Sequence, residues 1–175
     1  LTMENRIAVL SLSGALPIYG LATATDNSLH IFKVTTPAKG IEQLKQFLDS
    51  QSESLNKNNV TLFVDDPSGL LNDYGYKVEL AGKDEVTGEQ VLNKSMSRYL
   101  TLNNSGAITL PDNAHGFEIP QNLYNIRFRD DGSQYYNVDW TKLGERGILL
   151  LLFIHCAYSQ NALQTSYTQQ MFSAL

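Results

Sequence analysis

Asp65 and Asp66 stand together where an apolar run, Val60-Thr61-Leu62-Phe63-Val64, stops and the turn-forming Pro67-Ser68-Gly69 begins. A carboxylate pair in that position can do two kinds of work. At the carboxyl end of a buried strand, where open α/β sheets gather their reactive groups, it can hold a hard divalent cation through oxygen. Ahead of Pro-Ser-Gly, an aspartate can instead accept backbone N–H groups and cap the turn that follows. Glu145 is a further acid, set in Gly144-Glu145-Arg146-Gly147 before the apolar run Ile148 to Ile154. On its own it suits a first-turn acid favoured by the helix dipole.

Other chemistries find less support. His30, His115 and His155 are scattered, and no pair stands at the spacing a zinc site uses. His155 and Cys156 are neighbours within an apolar segment where their side chains diverge, which favours core or surface roles over a nucleophile and its base. No phosphate-cradling loop of the GxxxxGK[ST] or GxGxxG type is present, so a nucleotide-driven motor is not encoded in this stretch.

The elements that must position the acids follow from punctuation and period. Arg6 to Ser13 reads as a strand broken by Gly14-Ala15-Leu16-Pro17. Ile18 to Thr25 and Ser28 to Thr35 flank Asp26-Asn27 as a hairpin. After Pro37 and Gly40, residues Ile41, Leu44, Phe47, Leu48 and Leu55 recur at helical spacing. Val60 to Val64 then reads as a strand covered on both faces. Beyond the acids the expected order is a short helix over Leu70 to Tyr74, a strand over Tyr76 to Leu80 and a polar loop over Gly82 to Gly88. A helix over Glu89 to Asn103 and a short strand over Ala107 to Leu110 follow. A hairpin of Leu123 to Phe128 with Gln134 to Trp140, and a leucine-rich buried helix from near Thr141, complete the pattern.

The chain has 175 residues, 42% of them hydrophobic, which suits one domain with a continuous core, here expected over 1–175. Thirteen basic residues against eighteen acidic ones give a formal charge of -5, so the molecule lacks the general positive field that draws proteins to phosphate backbones. DNA contact would require a local basic patch. Lys77, Lys83, Lys94, Arg98, Arg127, Arg129, Lys142 and Arg146, interleaved with Tyr74, Tyr76, Tyr99, Tyr135 and Tyr136, are the candidates, either as a stacking surface for single strands or as a solvated face over core aromatics. The single Cys156 excludes an internal disulfide and fits a reducing compartment or a core position. The longest apolar run is far short of the roughly 20 residues that cross a bilayer. The expectation is a soluble, cytoplasmic protein without a membrane partner. From about residue 159 a polar tail spaces Leu163, Tyr167, Met171 and Phe172 as a surface for a protein partner.

Three consecutive strands, a helix, a strand ending in acid, then alternating helix and strand is an order that resembles the ribonuclease H-like nuclease fold. The stretch from Val64 through Gly69 to Val78, and Ala107-Ile108-Thr109-Leu110-Pro111 after a helix, resemble the nuclease domain of phage terminase large subunits. The resemblance implies an α/β fold with a mixed sheet, three antiparallel strands followed by parallel ones, flanked by helices. It implies a metal-dependent nuclease, or a degenerate nuclease-derived DNA-processing domain, of phage or mobile-element type. Magnesium or manganese would be held by Asp65, Asp66 and Glu145, two ions about 4 Å apart activating water and stabilising the leaving oxygen. One departure stands out. Family members carry an aspartate in the first strand, whereas Ile7-Ala8-Val9-Leu10-Ser11-Leu12-Ser13-Gly14 offers only serine hydroxyls, poor ligands for such an ion. The alternative is a non-catalytic protein-interaction or phage accessory protein on the same scaffold.

Overall fold

The computed structural model describes residues 4–79, 90–112 and 115–159. Its strands are β1 (Asn5–Ser11), β2 (Ile18–Thr25), β3 (Ser28–Thr35), β4 (Thr61–Asp65), β5 (Tyr76–Lys77), β6 (Ile108–Thr109), β7 (Tyr124–Phe128) and β8 (Gln134–Val138). The helices are α1 (Ile41–Lys57), α2 (Val91–Asn104) and α3 (Glu145–Tyr158).

The first six strands make one sheet in the order β5-β4-β1-β2-β3-β6. β1, β2 and β3 form an antiparallel meander, while β4 runs parallel to β1, β5 parallel to β4, and β6 parallel to β3. This is the expected mixed sheet, an antiparallel meander with parallel strands beside it. α1 carries the chain from β3 back across β2 and β1 to β4, which runs in the same direction as β3, a passage no tight turn can make.

β1 lies at the centre and is buried on both faces. Ile7 and Val9 belong to the apolar cluster on one side of the sheet, Ala8 and Leu10 to the cluster on the other. The second cluster is sealed by Leu44, Leu48 and Leu55, spaced so that α1 turns one apolar stripe inward. Each such leucine contributes roughly 1.5–3 kcal/mol by leaving water. The first cluster is larger and holds α2, α3 and the base of the β7–β8 hairpin. α3 is buried at every position from Gly147 to Ile154, because it lies between β1 and β2 on one side and α2 on the other. Such placement explains a sequence apolar all round. α3 comes close to the sheet because β2 presents Gly20 to it: a Cβ there would lie 2.9 Å from Phe153 and 3.0 Å from Leu149.

Three boundaries differ from the sequence expectation. The segment after the acids forms a 3-10 turn at Asn72–Tyr74 instead of a helix, and β5 pairs over only two residues. Gly75 lies so close to the Leu62 carbonyl that a Cβ would sit 2.6 Å from it, so the chain enters the sheet edge under tight backbone contact. α3 begins at Glu145 and not near Thr141, because Thr141 Oγ1 donates to Asp139 and a separate 3-10 turn, Trp140–Lys142, precedes an extended Leu143. The proposed partner-binding tail with Leu163, Tyr167, Met171 and Phe172, and most of the expected loop with Lys83, lie outside the described residues. No helix among the described residues is long and apolar enough to cross a membrane.

Candidate acid site at the carboxyl ends of β1 and β4

Parallel pairing of β1 with β4 sets Ser11 opposite Asp65 at the shared carboxyl end of both strands. The ladder extends one step further, with the Leu12 N–H donating to the Asp65 carbonyl at 2.8 Å. Asp65 is 2% exposed and Ser11 1%. A carboxylate so dry is costly unless it accepts hydrogen bonds. Two come from the strand that lacks an acid: Ser11 Oγ donates to Asp65 Oδ2 at 2.7 Å, and Ser13 Oγ donates to the same oxygen at 2.6 Å. From the far side α3 brings the Cys156 thiol, whose ionisation is pushed up first by burial and then by the negative charge of Asp65.

Asp66, one residue on, faces a different set of partners. Its Oδ1 accepts the Ser68 N–H at 2.9 Å and the Ser68 hydroxyl at 2.7 Å, and its Oδ2 accepts the Leu71 N–H at 3.0 Å. Both oxygens hold the Pro67-to-Leu71 turn, which is the capping use the sequence offered as an alternative.

Glu145 sits in the first turn of α3, partly buried. Its side chain abuts the bend after β1 so closely that a Cβ on Gly14 would lie 2.8 Å from Glu145 Cγ. Since Ser13 bonds Asp65 and Gly14 touches Glu145, the start of the last helix and the terminal acid of the fourth strand flank the same short bend. Of the three acids, only Glu145 stands outside the two hydrogen-bonded groups just described.

The resemblance drawn from the sequence implies magnesium or manganese at this sheet end, and the donor set either meets or fails that demand. Two hard ions need three or four carboxylates converging. Here Asp66 is turned onto its own loop, one oxygen of Asp65 is shared by two hydroxyls, and the first-strand position is a serine. Among the described residues no group of three or more His, Cys, Asp or Glu could hold a metal ion. These residues do not fit a two-ion centre.

Ser11 and Ser13 are the functional residues that sequence reasoning undervalued. Judged as ligands they are weak; as donors to a buried acid they are well suited. Only the register between strands reveals the partnership. The basic residues also separate. The Arg98 guanidinium donates to the Asp26 carbonyl and lies 4.4 Å over the Tyr158 ring, and that of Arg146 lies 5.5 Å from the Phe117 centroid. Lys77 pairs with Glu79 at 2.7 Å and Lys142 with Asp139 at 3.6 Å. Arg127 lies on β7 and Arg129 just beyond its end.

The sequence matches no protein-family model and no curated protein. Among solved structures, the chain is similar to the large terminase nuclease from thermophilic phage G20c, at 12% identity over 91% of this chain and 82% of that one, with a TM-score of 0.47. It is similar to the nuclease domain of the Thermus phage P74-26 large terminase, at 14% identity over 91% and 80%, also with a TM-score of 0.47. The G20c nuclease with bound magnesium gives 12% identity over 90% and 82%, with a TM-score of 0.46. The chemistry of the acid site is therefore read from this chain's own side chains.

Proposed function

We propose that this chain is a nuclease-derived DNA-processing domain of ribonuclease H-like fold whose acid site serves as a structural hydrogen-bond knot and does not hydrolyse phosphodiesters. One observation carries the reading: both serine hydroxyls of the β1 end converge on a single oxygen of the buried Asp65, at 2.7 and 2.6 Å. Two hydroxyl donors on one oxygen take the place of water around this buried carboxylate without a cation. The commitment of Asp66 to its own turn supports the same view.

The test uses the whole chain and its Ser11→Asp variant. Manganese, titrated over a wide range, is expected to leave the melting temperature of the natural chain unchanged and to produce no nicks in plasmid DNA. Ser11→Asp, which places a second carboxylate against Asp65, is expected to be destabilised without metal and to regain stability with manganese. Nicking by the natural chain that disappears in Asp65→Asn would overturn the proposal.

A second reading, a magnesium- or manganese-dependent endonuclease using Asp65, Asp66 and Glu145, is favoured by the contact between Gly14 and Glu145. That contact keeps an acid of the last helix beside the strand end. It predicts manganese binding in the natural chain that weakens in Glu145→Gln. We place the protein in the cytoplasm, as a soluble molecule.

A further inference from the structure

The β7–β8 hairpin has two unlike faces. Cross-strand partners share a face, so Tyr124 with Val138 and Ile126 with Tyr136 form one, and Asn125 with Asn137 and Arg127 with Tyr135 form the other. The first packs Tyr124, Tyr136 and Val138 onto the core. The second is polar, basic and aromatic. Arg129 continues it, with its guanidinium 5.2 Å from the Tyr135 centroid and held by Ser133 Oγ at 2.9 Å and the Gln134 carbonyl at 3.0 Å.

At its base this second face opens into a cleft of about 410 Å³ whose lining includes Gln90, Asn122, Asn125, Asn137, Asp139 and Trp140. The cleft is fixed in place, because Asn93 of α2 accepts the Val138 N–H at 3.1 Å and the Asp139 N–H donates to the Leu123 carbonyl at 2.8 Å. Four carboxamides and one carboxylate stand in this lining beside the apolar Leu123 and Val138 and the rings of Tyr124 and Trp140. It contains no cation, so it does not suit phosphate. Carboxamides pair with the donor–acceptor edges of bases, a carboxylate accepts from exocyclic amines, and an indole stacks on a base plane. Positive charge lies further along the same face at the exposed Arg127, where a backbone leading away from the cleft would run; Arg129 beyond it is engaged by Ser133, Gln134 and the Asp131 charge.

We infer that this face of the hairpin binds an unpaired DNA strand, with bases entering the carboxamide cleft against Trp140 and phosphates lying along Arg127. Base edges and planes are reachable together only in a strand that is not paired, which selects single strands over duplex. The choice of DNA rests on the nuclease-derived reading above; the face itself shares no residue with the acid knot.

Trp140 is the only tryptophan of the chain, so it reports directly on the cleft. The whole protein is titrated with a single-stranded DNA of about 15 nucleotides, its duplex and the RNA of equal sequence, at about 50 mM salt, following indole fluorescence and the anisotropy of a labelled strand. Saturable quenching by the single strand is expected, with duplex bound at least about tenfold more weakly. Asn125→Ala with Asn137→Ala is expected to weaken binding about tenfold without changing its salt dependence, while Arg127→Ala reduces the slope of log affinity against log salt by about 1. Three results would overturn the inference: no binding of the single strand, binding without quenching, or equal or tighter binding of duplex or RNA. An unchanged melting temperature in each variant confirms that the fold is intact. Failure here leaves the manganese result for the acid knot standing, and the converse also holds.

Discussion

The carboxyl end of β1 and β4 and the open face of the β7–β8 hairpin use their polar groups in opposite ways. At the first, a buried carboxylate is met by two hydroxyls of its own chain. At the second, carboxamides, an indole and Arg127 line a cleft and a strand face turned to solvent. The first place is where this sheet topology gathers acids; the second has no acidic cluster and attracts no attention as a site. Hydrogen-bonding capacity spent internally holds a fold together, and capacity left facing water is what a ligand can use.

The contrast predicts an ordered set of effects. Asp65→Ala, which removes the acceptor of the buried Ser11 hydroxyl and of the partly buried Ser13 hydroxyl, is expected to lower stability by about 3 kcal/mol in urea unfolding, the largest loss of the series. A loss below about 1 kcal/mol would show that the knot contributes little. Next comes a pH effect. Burial, helped by the nearby Lys94 charge, holds the His155 imidazole down at about 4, against an ordinary value of 6.5. A depressed value means that the unfolded chain takes up a proton before the native one does. Stability is therefore full above pH 6.5 and declines as pH falls from 6.5 towards 4, by an amount on the order of 2 kcal/mol. His155→Gln should flatten that decline in unfolding measured across the range; an unaltered curve would assign it to other groups.

Asp66→Ala removes the acceptor of two N–H groups in the following turn and is expected to cost about 1 kcal/mol, as helix and turn caps do. A cost equal to that of Asp65→Ala would erase the distinction between the two neighbouring acids. Smallest is Arg127→Ala, on an exposed strand, expected to change stability by less than about 0.5 kcal/mol while altering the salt dependence of DNA binding. A large stability loss there would mean that the hairpin face holds the fold and is not available to a ligand.

Much of the fold was legible because its signals are local. The continuous apolar run of Val60 to Val64 marks a strand covered on both faces, and the stripe of Leu44, Leu48 and Leu55 marks α1. The acid site was legible only in part. That Asp66 would cap the turn is written in Asp-Pro-Ser-Gly, all within six residues. That Asp65 would be bonded by Ser11 and Ser13 is not, since those residues meet through the parallel register of two strands with two further strands and a helix between them in the chain. The late start of α3 was hidden for a related reason: Thr141 and Asp139 bond to each other, and this side-chain link redirects a segment whose composition suits a helix.

The separation of Ser11 from Asp65, 54 positions along the chain, has a consequence for assembly. A polypeptide emerging from the ribosome completes its meander of three strands well before the acid is even synthesised. The aspartate can lose water only when β4 slides in beside β1 and finds both alcohols waiting. Sheet closure at this seam is thus a long-range event with a large loop to gather, and it should come late in folding. Until then the central strand keeps one backbone edge unpaired, and neighbouring nascent copies could compete for it.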